Sequence, residues 1–394
     1  MRGRGEEQLI TPAFVWITTA ALAYFVAIGV LAPVLPRYVE DELGGGGVQV
    51  GLAVGAFAVS AALLRPTVGR IGDQRGRRVL VIAGALIAAV SVLGYDLAVN
   101  LPVLIGMRLL TGVGEAAIFV GAATAVQDLA PSSRRGEATS YFSIAVYGGL
   151  GIGPVLGEYV RTTWGFHPTW AVAAGLCLLA MVIAAQMPDA RPVVDPDAPP
   201  ATRRWLHPAA VRPGVILALS SCGYAGFGAF VPLYIKQIGL DSAGGVFLEY
   251  AVAILAVRIL AARLPDRIGS VRGASIALLL QAGGLGAMAV FASAAGLYAG
   301  TLIFAMGTSL LYPSLFPLVV DRAPDSERSQ AVATFTLFFD VAQGLGAFVL
   351  GAVVSIGGNE RWAFAGAAAL VAFGFVLLRS AGRSRYEPAP SPSW

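Results

Sequence analysis

The chain has 394 residues, of which 57% are hydrophobic and 13% charged, with a formal net charge of +4 and a mean hydropathy of +0.74. A soluble domain is about 25% charged. This composition therefore excludes a water-facing soluble enzyme, a disordered chain and a nucleic-acid binder. The small positive balance rests on few charges and is no footprint for a polyanion.

Taken in chain order, twelve apolar segments reach or approach the length of about 20 residues that a membrane-crossing helix needs. They are 12–35, 46–68, 79–98, 101–126, 138–158, 170–187, 213–235, 245–264, 273–293, 296–320, 330–355 and 362–379. Their apolar runs are continuous and do not alternate at period two, which predicts helices and not barrel strands. The first is too long, and too directly followed by further spans, for a cleaved leader.

Alternating the twelve spans sorts the basic residues by side. Twenty fall on the side of the N-terminus, among them Arg2, Arg4, Arg75, Arg78, Arg134, Arg135, Arg203 and Arg204; four, Arg37, Arg161, Lys236 and Arg361, fall on the other. Positive charge accumulates in cytoplasmic loops. Both termini and the middle loop are therefore expected in the cytoplasm of a multi-pass cell-membrane protein. The middle loop is rich in Pro, Asp and Arg and reads as a tether. The expected organisation is a bundle over 1–187, a linker over 188–212 and a second bundle over 213–394.

Cys177 and Cys222 lie in apolar runs, and His167 and His207 in polar connections, so no disulfide and no metal site is expected. Lys236 is the only lysine. There is no G-x-x-x-x-G-K-[ST] phosphate loop, which argues against ATP as an energy source. No nucleophile–base set stands on a soluble segment, and no cofactor is implied. The expectation is a protein that is not an enzyme.

The two halves repeat at a nearly constant offset. Arg65, Arg70, Asp73 and Gly76 map by +193 onto Arg258, Arg263, Asp266 and Gly269. Asp128, Ala130, Pro131 and Arg135 map onto Asp321, Ala323, Pro324 and Arg328, and Gly151 and Gly153 onto Gly344 and Gly346. Near the ends the offset drifts, with Pro36 matching Pro232 and Trp170 matching Trp362. The unit has six spans, an even number, so both copies share one orientation. Such repeats are related by an axis along the membrane normal, with a pathway between them.

Several motifs stand out. The loop after the second span reads Gly69-Arg70-Ile71-Gly72-Asp73-Gln74-Arg75-Gly76-Arg77-Arg78. A carboxylate among arginines at helix ends makes a charge cluster, and glycine permits the tight turn. A weaker second copy contains Asp266, Arg267 and Gly269. The first span ends Pro33-Val34-Leu35-Pro36. The fourth span contains Arg108, Thr111, Gly112, Gly114 and Glu115; Arg108 and Glu115 are two turns apart on one face, about 10 Å. The fifth contains Gly149, Gly151, Gly153, Pro154 and Gly157, small residues that let helices approach.

Together these resemble motifs of the major facilitator superfamily, in particular its twelve-span drug:proton antiporters, and the resemblance covers nearly the whole chain from Pro33 to Trp362. It implies an all-α membrane fold of twelve transmembrane helices in two six-helix bundles related by pseudo-twofold symmetry. It implies a cytoplasmic gate at Gly69, Arg70, Asp73, Gly76, Arg77, Asp266 and Arg267, and an antiporter motif at Gly149, Gly153, Pro154 and Gly157. Arg108 matches the family's proton-coupling arginine. Glu115 replaces a small residue of that motif, and Thr111 a glutamine.

Ionisable groups within spans are costly and face protein or water, which makes Glu115, Asp340 and Glu249 candidates for proton coupling beside Arg108. Glu158 reads as an interfacial residue near Arg161, and Glu40, Asp41 and Glu42 as a solvated outer loop. Tyr24, Tyr147, Tyr224, Phe227 and Gln343 are candidates for lining a substrate cavity, although aromatics on such spans also serve packing and lipid contact. The expected function is export of small amphiphilic compounds or drugs in exchange for protons by alternating access. The expected partners are a small-molecule substrate, protons and membrane lipids, with the protein a monomer. Export of a defined metabolite (a sugar, siderophore or lipid) and proton-coupled uptake remain as alternatives.

Overall fold

A computed structural model describes residues 9–131, 135–188, 206–260, 268–323 and 328–380. Among these residues the chain forms twelve long helices and one short 3-10 turn, Gly94–Leu97. The first six are α1 (Pro12–Asp41), α2 (Gly47–Arg75), α3 (Arg77–Leu93), α4 (Leu101–Leu129), α5 (Arg135–Trp164) and α6 (Phe166–Ala184). The second six are α7 (Pro208–Gln237), α8 (Gly244–Leu260), α9 (Ser270–Val290), α10 (Ala294–Val320), α11 (Arg328–Gly357) and α12 (Arg361–Ser380). Ten are long and apolar enough to cross a membrane, α5 and α8 being the other two.

Local sequence sets the helix boundaries. Thr11, Asn100 and Ser293 cap α1, α4 and α10, each side-chain oxygen accepting from the backbone N–H three residues on. Proline stands in the first turn of α1, α4 and α7, where its missing N–H costs nothing. Between α2 and α3 the chain turns through Gly76 at φ +95°; its repeat mate Gly269 turns at φ +83°. Residues with a Cβ seldom adopt this left-handed backbone. α1 departs from the sequence reading. It passes through Pro33 and Pro36 and continues to Asp41, because neighbouring helices can stabilise a backbone whose internal bonds proline has removed.

Within the first half, α1 lies on α5 along a seam of glycine. A Cβ on Gly153 would stand 2.4 Å from the Val26 carbonyl oxygen, and one on Gly157 2.3 Å from that of Val30. Below 3.0 Å a backbone neighbour has to move, so only glycine fits this spacing. The half also carries a buried aromatic knot, in which Trp170 meets Tyr38 and Tyr95 edge-on at 5.5 and 5.4 Å. In the second half the corresponding centre is Phe227, packed on Phe247, Tyr250 and Phe304.

The halves meet along α2–α11 and α5–α8. Gly47, Gly51 and Gly55 at the start of α2 lie against Gly351, Ala347 and Gly344 near the end of α11; a Cβ on Gly51 or Gly55 would stand 2.3 Å from a facing carbonyl oxygen. Gly151 of α5 leaves room for Ala251 of α8 in the same way. Charges reinforce this end. Lys236 of α7 reaches Glu40 at 2.6 Å and Asp41 at 2.8 Å, both on α1. These two carboxylates, expected in a solvated loop, therefore end a helix and tie the halves together. Each partner is more than a third exposed, so such a pair contributes at most about 1 kcal/mol. Glu158 is buried and holds Arg161 at 2.8 Å and Arg37 at 3.5 Å. The end of the molecule that carries the α1–α2 and α11–α12 connections is thus sealed.

Candidate functional site

The sealed seam leads inward to an ionic cluster near the middle of the helices. Arg65 of α2 places Nη1 2.6 Å from Asp340 Oδ2 on α11 and Nη2 3.4 Å from Glu115 Oε1 on α4. Its guanidinium lies 4.8 Å above the Phe119 ring. Glu115 and Asp340 are buried, 8% and 6% exposed, so little of either carboxyl group reaches solvent. One guanidinium faces two carboxylates, one from each half of the molecule. Glu115 Oε2 and Arg65 Nε are buried without a hydrogen-bond partner.

Arg108 does something else. Its Nε donates to the Ala53 carbonyl at 2.8 Å, Nη2 to that of Val54 at 3.0 Å and Nη1 to the Tyr95 hydroxyl at 3.2 Å. The guanidinium stacks on Phe57, 4.5 Å from its centroid. Arg108 therefore straps α4 to α2 and makes no ion pair with Glu115, two turns along the same face. Glu115 turns to Arg65 instead, a partner on another helix that i,i+7 spacing cannot reveal. Thr111, at the motif's glutamine position, joins the same network through Tyr95 at 2.7 Å and Ser91 at 2.9 Å.

The other candidates scatter. Tyr147 of α5 accepts a hydrogen bond at 3.2 Å from Arg258 of α8, whose guanidinium lies 4.5 Å over its ring. Tyr224 stacks on Tyr250 at 5.6 Å. Phe227 is wholly buried in the aromatic centre of the second half, so it packs the core and does not line a cavity. Tyr24 is equally buried, edge-on to Phe25, with its hydroxyl unpartnered. Gln343 and Glu249 each keep one buried polar atom without a partner, Nε2 and Oε2.

Gly149, Gly153 and Gly157 serve the α1–α5 seam inside one half, and Pro154 lies in the same seam against Gly29. In the expected gate, Gly76 makes the turn, Gly69 has open space beside its Cα, and Arg77 pairs with Asp128 at 3.2 Å. The side chains of Arg70 and Asp73, and the whole of Asp266 and Arg267, lie outside the described residues. No group of three or more metal-ligating side chains occurs among the described residues.

Arg65 is the residue that motif reading missed. The signal was available: of 27 basic residues, the loop assignment leaves only Arg65, Arg108 and Arg258 inside the spans. Two of these three are repeat mates.

The family model for the Major Facilitator Superfamily matches residues 17–257 and 242–393, and the chain belongs to this superfamily of membrane transporters, which are not enzymes. It is 32% identical over 381 residues to the uncharacterized MFS-type transporter STM4428 of Salmonella typhimurium, covering 92% of this chain and 95% of that one. It is 27% identical over 366 residues to the uncharacterized MFS-type transporter YhhS of Escherichia coli, covering 90% and 89%. Among solved structures, the nucleoside transporter NupG superposes with a TM-score of 0.77 at 14% identity, covering 93% of this chain and 99% of that one. A bacterial homologue of the human lysosomal transporter Spinster, inward-facing and unoccupied, gives 0.74 at 15% identity, with 96% and 98% coverage. The fold is that of the superfamily, and the protein is a multi-pass membrane transporter of small molecules.

Proposed function

We propose that this transporter exports small amphiphilic compounds in exchange for protons, by alternating access between two bundles, 1–187 and 213–394, joined by the linker 188–212. The observation that carries the reading is Arg65 held between Glu115 and Asp340, with the two acids on opposite halves. Two carboxylates around one guanidinium leave one negative charge over, which one proton neutralises. Glu115 Oε2, buried without a donor, is the natural seat for that proton, since a charged oxygen in this position is expensive. Asp340 closes the contact across the halves at 2.6 Å. Separating α2 from α11 has to break it, so rocking and charge state are coupled.

The loop asymmetry of basic residues supports termini in the cytoplasm, which makes the sealed end the outer one. The chain then faces inward in this structure, ready to receive substrate from the cytoplasm. The glycine pattern of α5 supports export. The 69–78 loop, with Arg77 already paired to Asp128, serves as the inner latch. Each proton moving inward contributes about 2.3 kcal/mol per 100 mV. We take the protein to act as a monomer in contact with membrane lipid.

The test is transport in proteoliposomes under an imposed pH gradient. Glu115→Gln and Asp340→Asn are each expected to abolish gradient-driven exchange while leaving counterflow of substrate in place. Gradient-driven exchange that survives in both variants overturns the proton assignment.

A further inference from the structure

We infer that the transported compound carries an acidic group, and that Arg258 is its docking point. This deepens the proposed function by naming the chemical class of its substrate, and it rests on the protein being a transporter of amphiphiles.

The argument starts from the repeat. Arg65 and Arg258 are mates at +193, and both project from the second helix of their half toward the other half. The three groups around Arg65 have mates as well. Glu115 corresponds to Thr308, Phe119 to Tyr312 and Asp340 to Tyr147. The guanidinium is present in both halves, whereas around Arg258 hydroxyls stand in the places of both acids: Thr308 for Glu115 and Tyr147 for Asp340. Among the described residues, Arg258 has no carboxylate within ion-pair distance; its contacts are the Tyr147 hydroxyl and ring. Its Nε is buried and makes no hydrogen bond.

A lone guanidinium at this depth is costly and calls for a counter-charge. Arg65 takes its counter-charge from the chain. Arg258 has donors to spare in the planar fork that matches a carboxylate. The surroundings suit an aromatic body: Tyr224 stacks on Tyr250 at 5.6 Å, Tyr250 on Phe304 at 5.7 Å, and Tyr312 lies 5.4 Å from Phe335. Tyr250 and Tyr312 are within electrostatic reach of Arg258. A cation amid aromatic rings with polar tips fits a compact aromatic carboxylate. Such an anion displaces the Tyr147 hydroxyl and completes in trans the ion pair that Arg65 makes in cis.

The experiment measures binding to the purified full-length protein in detergent, by thermal unfolding and by titration. Its probes are 2-naphthoate, the neutral 2-naphthamide and the cationic 2-naphthylmethylamine. The wild type is expected to prefer the acid over the amide at least about tenfold, or about 1.4 kcal/mol. Arg258→Gln should remove the preference and Arg258→Lys should keep part of it. Tyr147→Asp should remove it too, by filling the guanidinium from within while preserving the charge of Arg258. The inference is overturned if the wild type treats acid and amide alike, or if Arg258→Gln keeps the preference. No gradient is used, so failure here leaves proton coupling standing. Conversely, gradient-driven exchange that persists in Glu115→Gln and Asp340→Asn, with the acid preference intact, removes only the proton reading.

Discussion

Arg65 and Arg258 occupy matched places in two copies of one six-helix unit, yet they are solved by opposite means. The first is over-compensated, with two buried acids around it. The second has a tyrosine and, among the described residues, no carboxylate within ion-pair distance. A duplicated scaffold has thus kept its cation twice and varied the counter-charge: two buried carboxylates on one side, none among the described residues on the other. On the proposed reading, this difference separates two tasks, holding a proton and holding a substrate, at equivalent positions on two interfaces between the same halves.

Five changes test that contrast. The largest effect is expected from Arg65→Gln. It leaves two buried carboxylates facing each other, which should cost about 3–5 kcal/mol by analogy with other broken buried pairs and should lower the unfolding temperature sharply. Arg258→Gln removes a cation that lacks a counter-charge. It should change stability by less than about 1 kcal/mol, because the bond it loses is offset by the relieved burial of charge. Equal losses in thermal unfolding for the two variants would erase the distinction between the arginines.

Next comes Gly51→Val, which pushes a side chain into the Ala347 carbonyl. Overpacking of this kind costs about 1–3 kcal/mol, here charged to the sealed state alone. Spin-label distances across α2–α11 should lengthen, and the Arg65–Asp340 contact should be lost with them while Arg258–Tyr147 persists. Arg108→Lys is expected to cost about 2 kcal/mol through lost charged hydrogen bonds to α2, with the pH midpoint of exchange unchanged. A shifted midpoint would place Arg108 inside the proton site and widen it beyond Arg65.

The smallest effect concerns Glu360, in the α11–α12 turn. Burial pushes its carboxyl above the ordinary range, a backbone hydrogen bond opposes the shift, and nearby Glu40 adds to it. A raised acid binds its proton more tightly in the sealed arrangement than when free. Sealing is therefore favoured at low pH and weakens as pH rises through the Glu360 range. Glu360→Gln should flatten that dependence in the same spin-label measurement, leaving both arginine sites untouched.

The helices were legible because each carries a local signal. A long apolar run predicts a span, and glycines at 76 and 269, one period apart, predict the left-handed turns that both halves make. The embedded acids Glu115 and Asp340 were legible too, since a carboxylate in an apolar run has few reasons to be there. Their common partner was not. Arg65 stands at the end of a span, next to a proline and five residues before a basic loop, so it reads as the edge of that loop. Its contacts lie 50 and 275 residues away in sequence, and no local period encodes them. Phe227 shows the converse: nothing in its segment separates a cavity wall from the centre of a core, and tertiary packing put it in the core.

The seal between Lys236 and the Glu40–Asp41 pair has a practical consequence. Lys236 is the only lysine in the sequence, so the protein carries a single side-chain amine, placed where its two halves touch. Held by two carboxylates it is a poor nucleophile; released, it is an ordinary primary amine. Acylating reagents added to intact protein should therefore count opening events at that residue, turning an accident of composition into a clock for the cycle.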